Sequence, residues 1–419
     1  MRNNLTESRF TLDFQHTIGP DEADPVVYRA QQYLHRFGYL KAGFTPLLLD
    51  AATQSGLRLF QERRRLDATG LLDRETADEM ELPRCGLADN LPQLLGESSD
   101  GVDFSGRCSH QGERRLTYTF ITDFPRGDLR EDQMRTDIAL AFAAWGEVIH
   151  FEFVEDAANP TFKIGWFDGA HLAGAVPCLN FDGLVGHILA HAFPPSTCGG
   201  PRAGHCHFDL REPWTRLPEG VRRRNDVDLL SLALHEIGHL LGLPHNADPR
   251  TEAVMAPVYE EARKTLRLAD RQAIRDLYGL PLLPLNILAN FENLGALEFR
   301  EDEFTESVNG RGVLNGFQLG FSRPIEGVSI HYKVRRGDRD SDFVAEGEFS
   351  GSGEPSPAGP IAGFAIQLVG SNADKYNVFY KAKFGDDEVT RPHRNGELCG
   401  DPAQSRPIQA ILVGVEPRA

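Results

Sequence analysis

Long apolar runs are missing from this 419-residue chain. The longest, such as residues 229–234, fall far short of the roughly 20 residues a membrane-spanning helix needs. A basic excess is missing too. Lys and Arg total 44 against 61 Asp and Glu, and the net charge of -17 argues against nucleic acid or an anionic membrane as the main partner. The first ten residues are polar and lack an apolar h-region, so no secretory leader is legible. Cysteine is scarce at six, but four of the six (Cys108, Cys178, Cys198 and Cys206) fall in one stretch. Two disulfides there would allow three connectivities, which sequence does not separate. Paired, they imply an oxidising compartment; four buried thiols would not.

The length suits roughly two to four domains. Residues 1–24 are polar and expected to be disordered. Over 25–85, Val26, Val27, Ala30, Tyr33, Leu34 and Phe37 recur at helical spacing and stop at Gly38. Runs at 51–65 and 74–80 complete a small all-α domain. Residues 86–115, rich in Gly, Ser and Asp, read as a linker ending at Arg114-Arg115. Residues 116–280 mix strand-like and helical runs into an α/β (α+β) domain, with helices expected over 132–149, 226–241 and 268–278. Residues 281–419 look all-β and carry an internal repeat. Gly316 and Gly320, Gly347 and Gly351, and Gly396 and Gly400 each precede a Pro-Ile pair, and Tyr332-Lys333 recurs as Tyr380-Lys381.

The chemistry concentrates in residues 235–245, HEIGHLLGLPH. Positions i and i+4 share a helix face, so His235 and His239 can face one metal ion. Gly242 permits a sharp turn that returns His245 as a third ligand. Three imidazoles leave a fourth position of a zinc ion open, as catalysis requires, and Glu236 is placed to be the general base. The competing picture, a buried helix with incidental histidines, would need three imidazoles and a carboxylate on a surface otherwise Leu, Ala, Ile and Gly.

This pattern resembles the metzincin metalloproteases, and Val254-Met255-Ala256-Pro257 resembles their Met-turn, implying that Met255 floors the metal site. Pro83-Arg84-Cys85-Gly86-Leu87-Ala88-Asp89 narrows the resemblance to matrix metalloproteinases. It implies a zymogen in which the Cys85 thiolate occupies the fourth zinc position while Arg84 and Asp89 pair to hold the loop. Residues 28–82 resemble the peptidoglycan-binding-like prodomain and residues 116–280 the catalytic domain, together about 60% of the chain.

The resemblance further implies a second, structural zinc on His171, His191 and His207, and Ca²⁺ on Asp182, Gly183, Asp209 and Glu212. Where the family places an aspartate two residues after the first of these histidines, Ala173 stands; Asp168, His187 or Cys178 could supply the fourth ligand. It implies peptide-bond hydrolysis in extracellular proteins, with export by a route this sequence does not spell out. Residues 281–419 resemble the clostridial hydrophobic repeats without their tryptophan, and attachment to a glycan, surface or partner is weighed there against a purely structural role. The rival for the whole chain, a glycan-binding protein with an inert protease domain, does not account for the complete zinc motif.

Overall fold

Each of the first three helices starts on an aspartate. In α1 (Pro25–Arg36), α2 (Ala51–Arg63) and α3 (Arg74–Met80), the side chains of Asp24, Asp50 and Asp73 accept hydrogen bonds from the backbone N–H groups of Val26, Thr53 and Thr76. Caps of this kind contribute about 1 kcal/mol each. The apolar faces, among them Val27, Tyr33, Leu34, Leu57, Phe60 and Met80, meet in one core. The expectation of disorder over residues 1–24 is overturned from Phe10 onward. Phe10, Leu12 and Ile18 are buried in the same core, and Ile18 exchanges backbone hydrogen bonds with Leu72 at 3.0 and 3.2 Å. Phe10 and Leu12 make a single step of strand alternation and Ile18 stands apart from it, too short a pattern to read, yet each buries a full side chain.

This computed structural model describes residues 10–13, 15–89, 108–110, 115–149, 151–181, 186–223, 226–246, 248, 251–279, 282–307, 312–351, 359–385, 388–401 and 406–418. The chain divides into two compact units, Met1–Tyr278 and Gly279–Ala419.

In the first unit a six-stranded sheet runs in the order β1-β7-β8-β4-β2-β3. Its strands are β1 (Pro83–Cys85), β2 (Arg115–Phe120), β3 (Glu152–Glu155), β4 (Phe162–Phe167), β7 (His187–Ala192) and β8 (His205–Asp209). Only β7 and β8 pair antiparallel; the other pairs are parallel. A small hairpin, β5 (Leu172–Ala173) and β6 (Val176–Pro177), and a one-turn helix α5 (Ser196–Gly199) flank β7. A short pair, β9 (Trp214–Thr215) and β10 (Val227–Asp228), leads into helix α6 (Leu229–Leu240). Helix α4 (Glu131–Ile149) packs on α6, with Trp145 Nε1 donating to the Leu234 carbonyl at 2.9 Å, and α7 (Leu268–Tyr278) ends the unit.

Two details differ from the sequence reading. Helix α6 starts three residues later than expected, because Asp228 and not Asp226 caps it; Asp228 Oδ1 accepts from Ser231 N at 2.9 Å. Residues 86–115 were expected to be linker, but the first four are interior: Gly86 N donates to Ala190 O at 2.8 Å and Asp89 N to Phe37 O at 3.1 Å. Arg114 lies outside the described residues, and Arg115 begins β2.

The second unit is all-β. Its strands are β11 (Leu285–Phe291), β12 (Gly295–Arg300), β13 (Leu314–Phe321), β14 (Ser329–Arg336), β15 (Arg339–Asp340), β16 (Ser350–Gly351), β17 (Gly363–Val369), β18 (Tyr376–Phe384), β19 (His393–Arg394), β20 (Cys399–Gly400) and β21 (Ile408–Pro417). They form three sheets, β12-β11-β13-β16, β15-β14-β17-β20 and β19-β18-β21, around one core. The glycine repeat has a geometric cause. Gly351 (φ 104°) pairs with Gly316 and Gly400 (φ 127°) with Gly363, and a Cβ at either would meet the partner's Cα at 2.6 or 2.7 Å. The repeated tyrosines are equivalent as well: the buried hydroxyls of Tyr332 and Tyr380 donate to the carbonyls of Glu348 and Glu397.

Candidate metal centre

His235 and His239 come from successive turns of α6, and His245 from the chain beyond it. Gly242, at φ 102°, makes the return possible; a Cβ there would overlap the Cys108 carbonyl oxygen at 1.4 Å. The imidazoles are held by backbone carbonyls. His235 Nδ1–H donates to Val254 O and His239 Nδ1–H to Leu243 O, both at 2.7 Å. This fixes the tautomer and leaves the Nε2 lone pairs facing inward. Those two Nε2 atoms are 3.1 Å apart, and His245 Nε2 is buried with no protein hydrogen-bond partner among the described residues. Lone pairs crowded together without a proton between them are what a bound cation satisfies. Burial and the neighbouring imidazoles push His235 down to about 3 and His239 well below its usual value, so both stay neutral, the form that ligates.

Cys85 completes this cluster. Its Sγ lies 3.6 Å from His239 Nε2, and ligand atoms of Cys85, His235, His239 and His245 all fall within 4.8 Å of one another. The donor set, three imidazoles and a thiol, fits tetrahedral zinc. Glu236 is fully buried on the same helix, and that burial pushes its carboxyl up to about 8.

The backbone presents Cys85 at two edges. Strand β1 pairs parallel with β7, while Cys85 N donates to Pro257 O at 3.0 Å and Tyr259 N to Pro83 O at 2.8 Å. The prosegment thus fills the channel between β7 and residues 257–259. The loop after it is clamped by charge: the Arg84 guanidinium is buried against the Asp89 carboxylate, donates to Tyr33 Oη at 2.9 Å, and lies 3.5 Å from the Phe37 ring centroid. Asp89 also accepts from Tyr39 Oη, and its Oδ1 lies 3.1 Å from His245 Nδ1. Burial alone would raise the Asp89 carboxyl, but Arg84 holds it far below the usual range. A further ion pair joins prosegment to channel wall: Arg64, just past α2, holds Glu79 at 2.7 Å and Glu260 at 2.6 Å.

Met255 lies under α6; a Cβ on Gly238 would meet Met255 Sδ at 2.3 Å. Sequence reasoning missed the residue that carries this turn. Asp270, buried in α7, accepts from Val254 N at 2.9 Å and Met255 N at 3.1 Å. Helical spacing gives Tyr33 and Phe37 only a place on an apolar face and says nothing of Tyr39, although the hydroxyls of the two tyrosines and the ring of Phe37 secure Arg84 and Asp89.

A second cluster gathers His171, Cys178, His191 and His207, again within 4.8 Å. Cys178 Sγ is 3.0 Å from His191 Nε2 and 3.3 Å from His207 Nδ1, and His171 Nε2 is 3.0 Å from His207 Nδ1. The β5–β6 hairpin brings Cys178 there. Leu172 faces Pro177 in its register, so His171 and Cys178 flank it side by side, and Cys178 N donates to His171 O at 3.0 Å. Of the other candidates for the fourth ligand, Asp168 pairs with Arg211 and His187 with Glu212.

One expectation requires correction. Two disulfides were possible among the four clustered cysteines; one is present, Cys108–Cys198, while Cys178 and Cys206 are free thiols. For calcium, Asp209 is engaged by Arg211 N and Nε, at 2.9 and 3.2 Å, and Glu212 by His187 Nε2 at 2.6 Å, while Asp182 and Gly183 lie outside the described residues.

Comparison with known proteins agrees with this geometry. The matrixin family matches residues 109–279, and a peptidoglycan binding domain family matches residues 23–80. Metalloendoproteinase 1-MMP of Arabidopsis thaliana is 34% identical over 280 residues, covering 64% of this chain and 73% of that protein. Metalloendoproteinase 1 of Glycine max is 34% identical over 276 residues, covering 63% and 85%. Matrix metalloproteinase-21 of Mus musculus is 31% identical over 311 residues, covering 62% of this chain and 50% of its own length. The family uses zinc, and among the described residues no helix is long and apolar enough to cross a membrane. With its peptidoglycan-binding-type prosegment and histidine-rich cleft, the chain belongs to the matrixin family of metalloendopeptidases.

Proposed function

We propose that the chain is a latent zinc endopeptidase in which His235, His239, His245 and the Cys85 thiolate hold the catalytic zinc until the prosegment is displaced. The observation that carries this reading is the meeting of Cys85 Sγ with three inward-facing imidazoles, in a channel the prosegment fills along both edges. Zinc in such a site polarises a carbonyl and lowers the pKa of water. Glu236, buried beside the Cys85 thiol, then takes a proton from the attacking water and returns it to the leaving amine. Once the prosegment leaves, the backbone groups of β7 and of residues 257–259 are free to bind an extended peptide, as strand edges do.

His171, Cys178, His191 and His207 are read as a second, structural zinc site. Ca²⁺ on Asp182, Gly183, Asp209 and Glu212 stays part of the reading, and binding there would require Asp209 to exchange Arg211, and Glu212 His187, for the ion. Action on extracellular proteins follows from the family and suits the disulfide. For residues 281–419 an attachment module and a purely structural appendage stand as equal readings, and a polysaccharide pull-down with that unit tests the first.

The deciding experiment compares Glu236→Ala with the native chain, each before and after cleavage between the prosegment and β2. Native activity should appear only after cleavage. Glu236→Ala should retain zinc yet hydrolyse no peptide, and turnover by that variant would remove Glu236 from its role.

A further inference from the structure

Beside His235, a pocket of about 20 Å³ opens off the channel that the prosegment fills, room for about one water molecule while Cys85 is in place. Leu232, Val254, Val258 and Tyr259 give it apolar walls, and Glu261 and Arg263 supply its charge. Because His235 and Cys85 stand at its border, a side chain entering it belongs to a substrate residue next to the bond being cut.

Arg263 is the unusual member. Its side chain is 11% exposed. It donates through one terminal nitrogen to Ala253 O at 3.3 Å and through the other to Glu260 at 3.2 Å. Its Nε is buried without a hydrogen-bond partner among the described residues, and the Glu261 carboxylate stands off at 3.7 Å. A buried donor left unmet is costly, and an acceptor brought by a ligand recovers that cost where an apolar group cannot. The guanidinium charge is already balanced by Glu260 and Glu261, so a third carboxylate gains less than a neutral acceptor.

We infer that Arg263 determines specificity at this pocket, selecting a substrate side chain of modest length that ends in a hydrogen-bond acceptor, glutamine above all, over an apolar chain such as leucine. The inference rests on the endopeptidase reading above and adds the substrate class to it.

The test uses the full chain activated by removal of the prosegment, as native protein, Arg263→Met and Arg263→Lys. Cleavage sites are mapped in a denatured protein mixture, and kcat/KM is measured on two peptides differing only in Gln or Leu at the enriched flanking position. The Gln-to-Leu ratio within one variant does not depend on how much of that variant is folded. Native enzyme should favour Gln, Arg263→Met should shift the ratio toward Leu by about tenfold, and Arg263→Lys should fall between. Native preference for apolar residues at both flanking positions, or a shift under about threefold in Arg263→Met, overturns the inference. Failure of the native enzyme to cut any peptide overturns the endopeptidase reading itself, and the inference with it.

Discussion

The carboxylate of Asp270 holds Met255 in place by accepting the backbone N–H of that residue at 3.1 Å and of Val254 at 2.9 Å. The Val254 carbonyl in turn fixes the ring of His235. One buried aspartate on α7 thereby orients both the floor and one ligand of the candidate zinc site.

Replacing that aspartate tests the linkage. Asp270→Ala leaves two buried N–H groups without acceptors and should cost about 1–3 kcal/mol per group. Loss of such outer support typically lowers metal affinity about 10–100-fold. Chelator competition on the variant should show zinc released more readily, with the melting temperature lowered; unchanged zinc retention would confine Asp270 to fold stability.

The clamp on the switch loop should be equally sensitive. Arg84→Ala would strand the Asp89 carboxylate in the interior, a loss of about 3–5 kcal/mol. That is enough to open the loop, so Cys85 should react with an alkylating reagent much faster and activity should appear without cleavage. Tyr33→Phe, which removes one hydrogen bond to Arg84, should produce a smaller effect of about 1 kcal/mol. If Arg84→Ala stays latent with Cys85 protected, zinc and the strand pairing of β1 suffice without the clamp.

At the second cluster, Cys178→Ala should lower bound zinc from two ions per chain to one, read by elemental analysis, and Cys178→Asp should restore part of the loss. A thiolate contributes a strong zinc ligand, so its removal should also lower thermal stability. Two ions retained in Cys178→Ala would exclude the thiol from the ligand set.

How much of this was legible varies with the range of the interaction. The pairing of His235 with His239 follows from helical period alone, and the turn that returns His245 from a glycine. The ends of α7 fell where periodicity put them, because a helix with one apolar face declares itself. Cys178 could only be one of three candidates, since a two-strand hairpin decides which residue faces His171 and its strands are too short to show alternation. Asp270 lies in a helix whose period says nothing of its role; beside the nearby Arg267 N–H, the two N–H groups it holds at the turn lie 15 and 16 positions away. The packing of Phe10, Leu12 and Ile18 was hidden for the same reason, as contacts to distant residues carry no local period.

The Cys108–Cys198 disulfide closes a loop with a sequence separation of 90, and a closure of that size removes chain entropy worth about 4–5 kcal/mol from the unfolded state. It also anchors Cys108 at the turn after α6, where the Cys108 carbonyl crowds Gly242 and His110 Nε2 donates to Leu240 O at 3.2 Å. A Cys108→Ser, Cys198→Ser double variant should therefore lose most of that stability in denaturant titration. It should keep its zinc, since Val254 and Leu243 hold two of the imidazoles and neither contact runs through the bridge. Both cysteines are buried, so the native protein should resist a mild reductant until it begins to unfold. Zinc lost in step with reduction of the folded protein would mean that the bridge, through the Gly242 turn, holds His245 in the site.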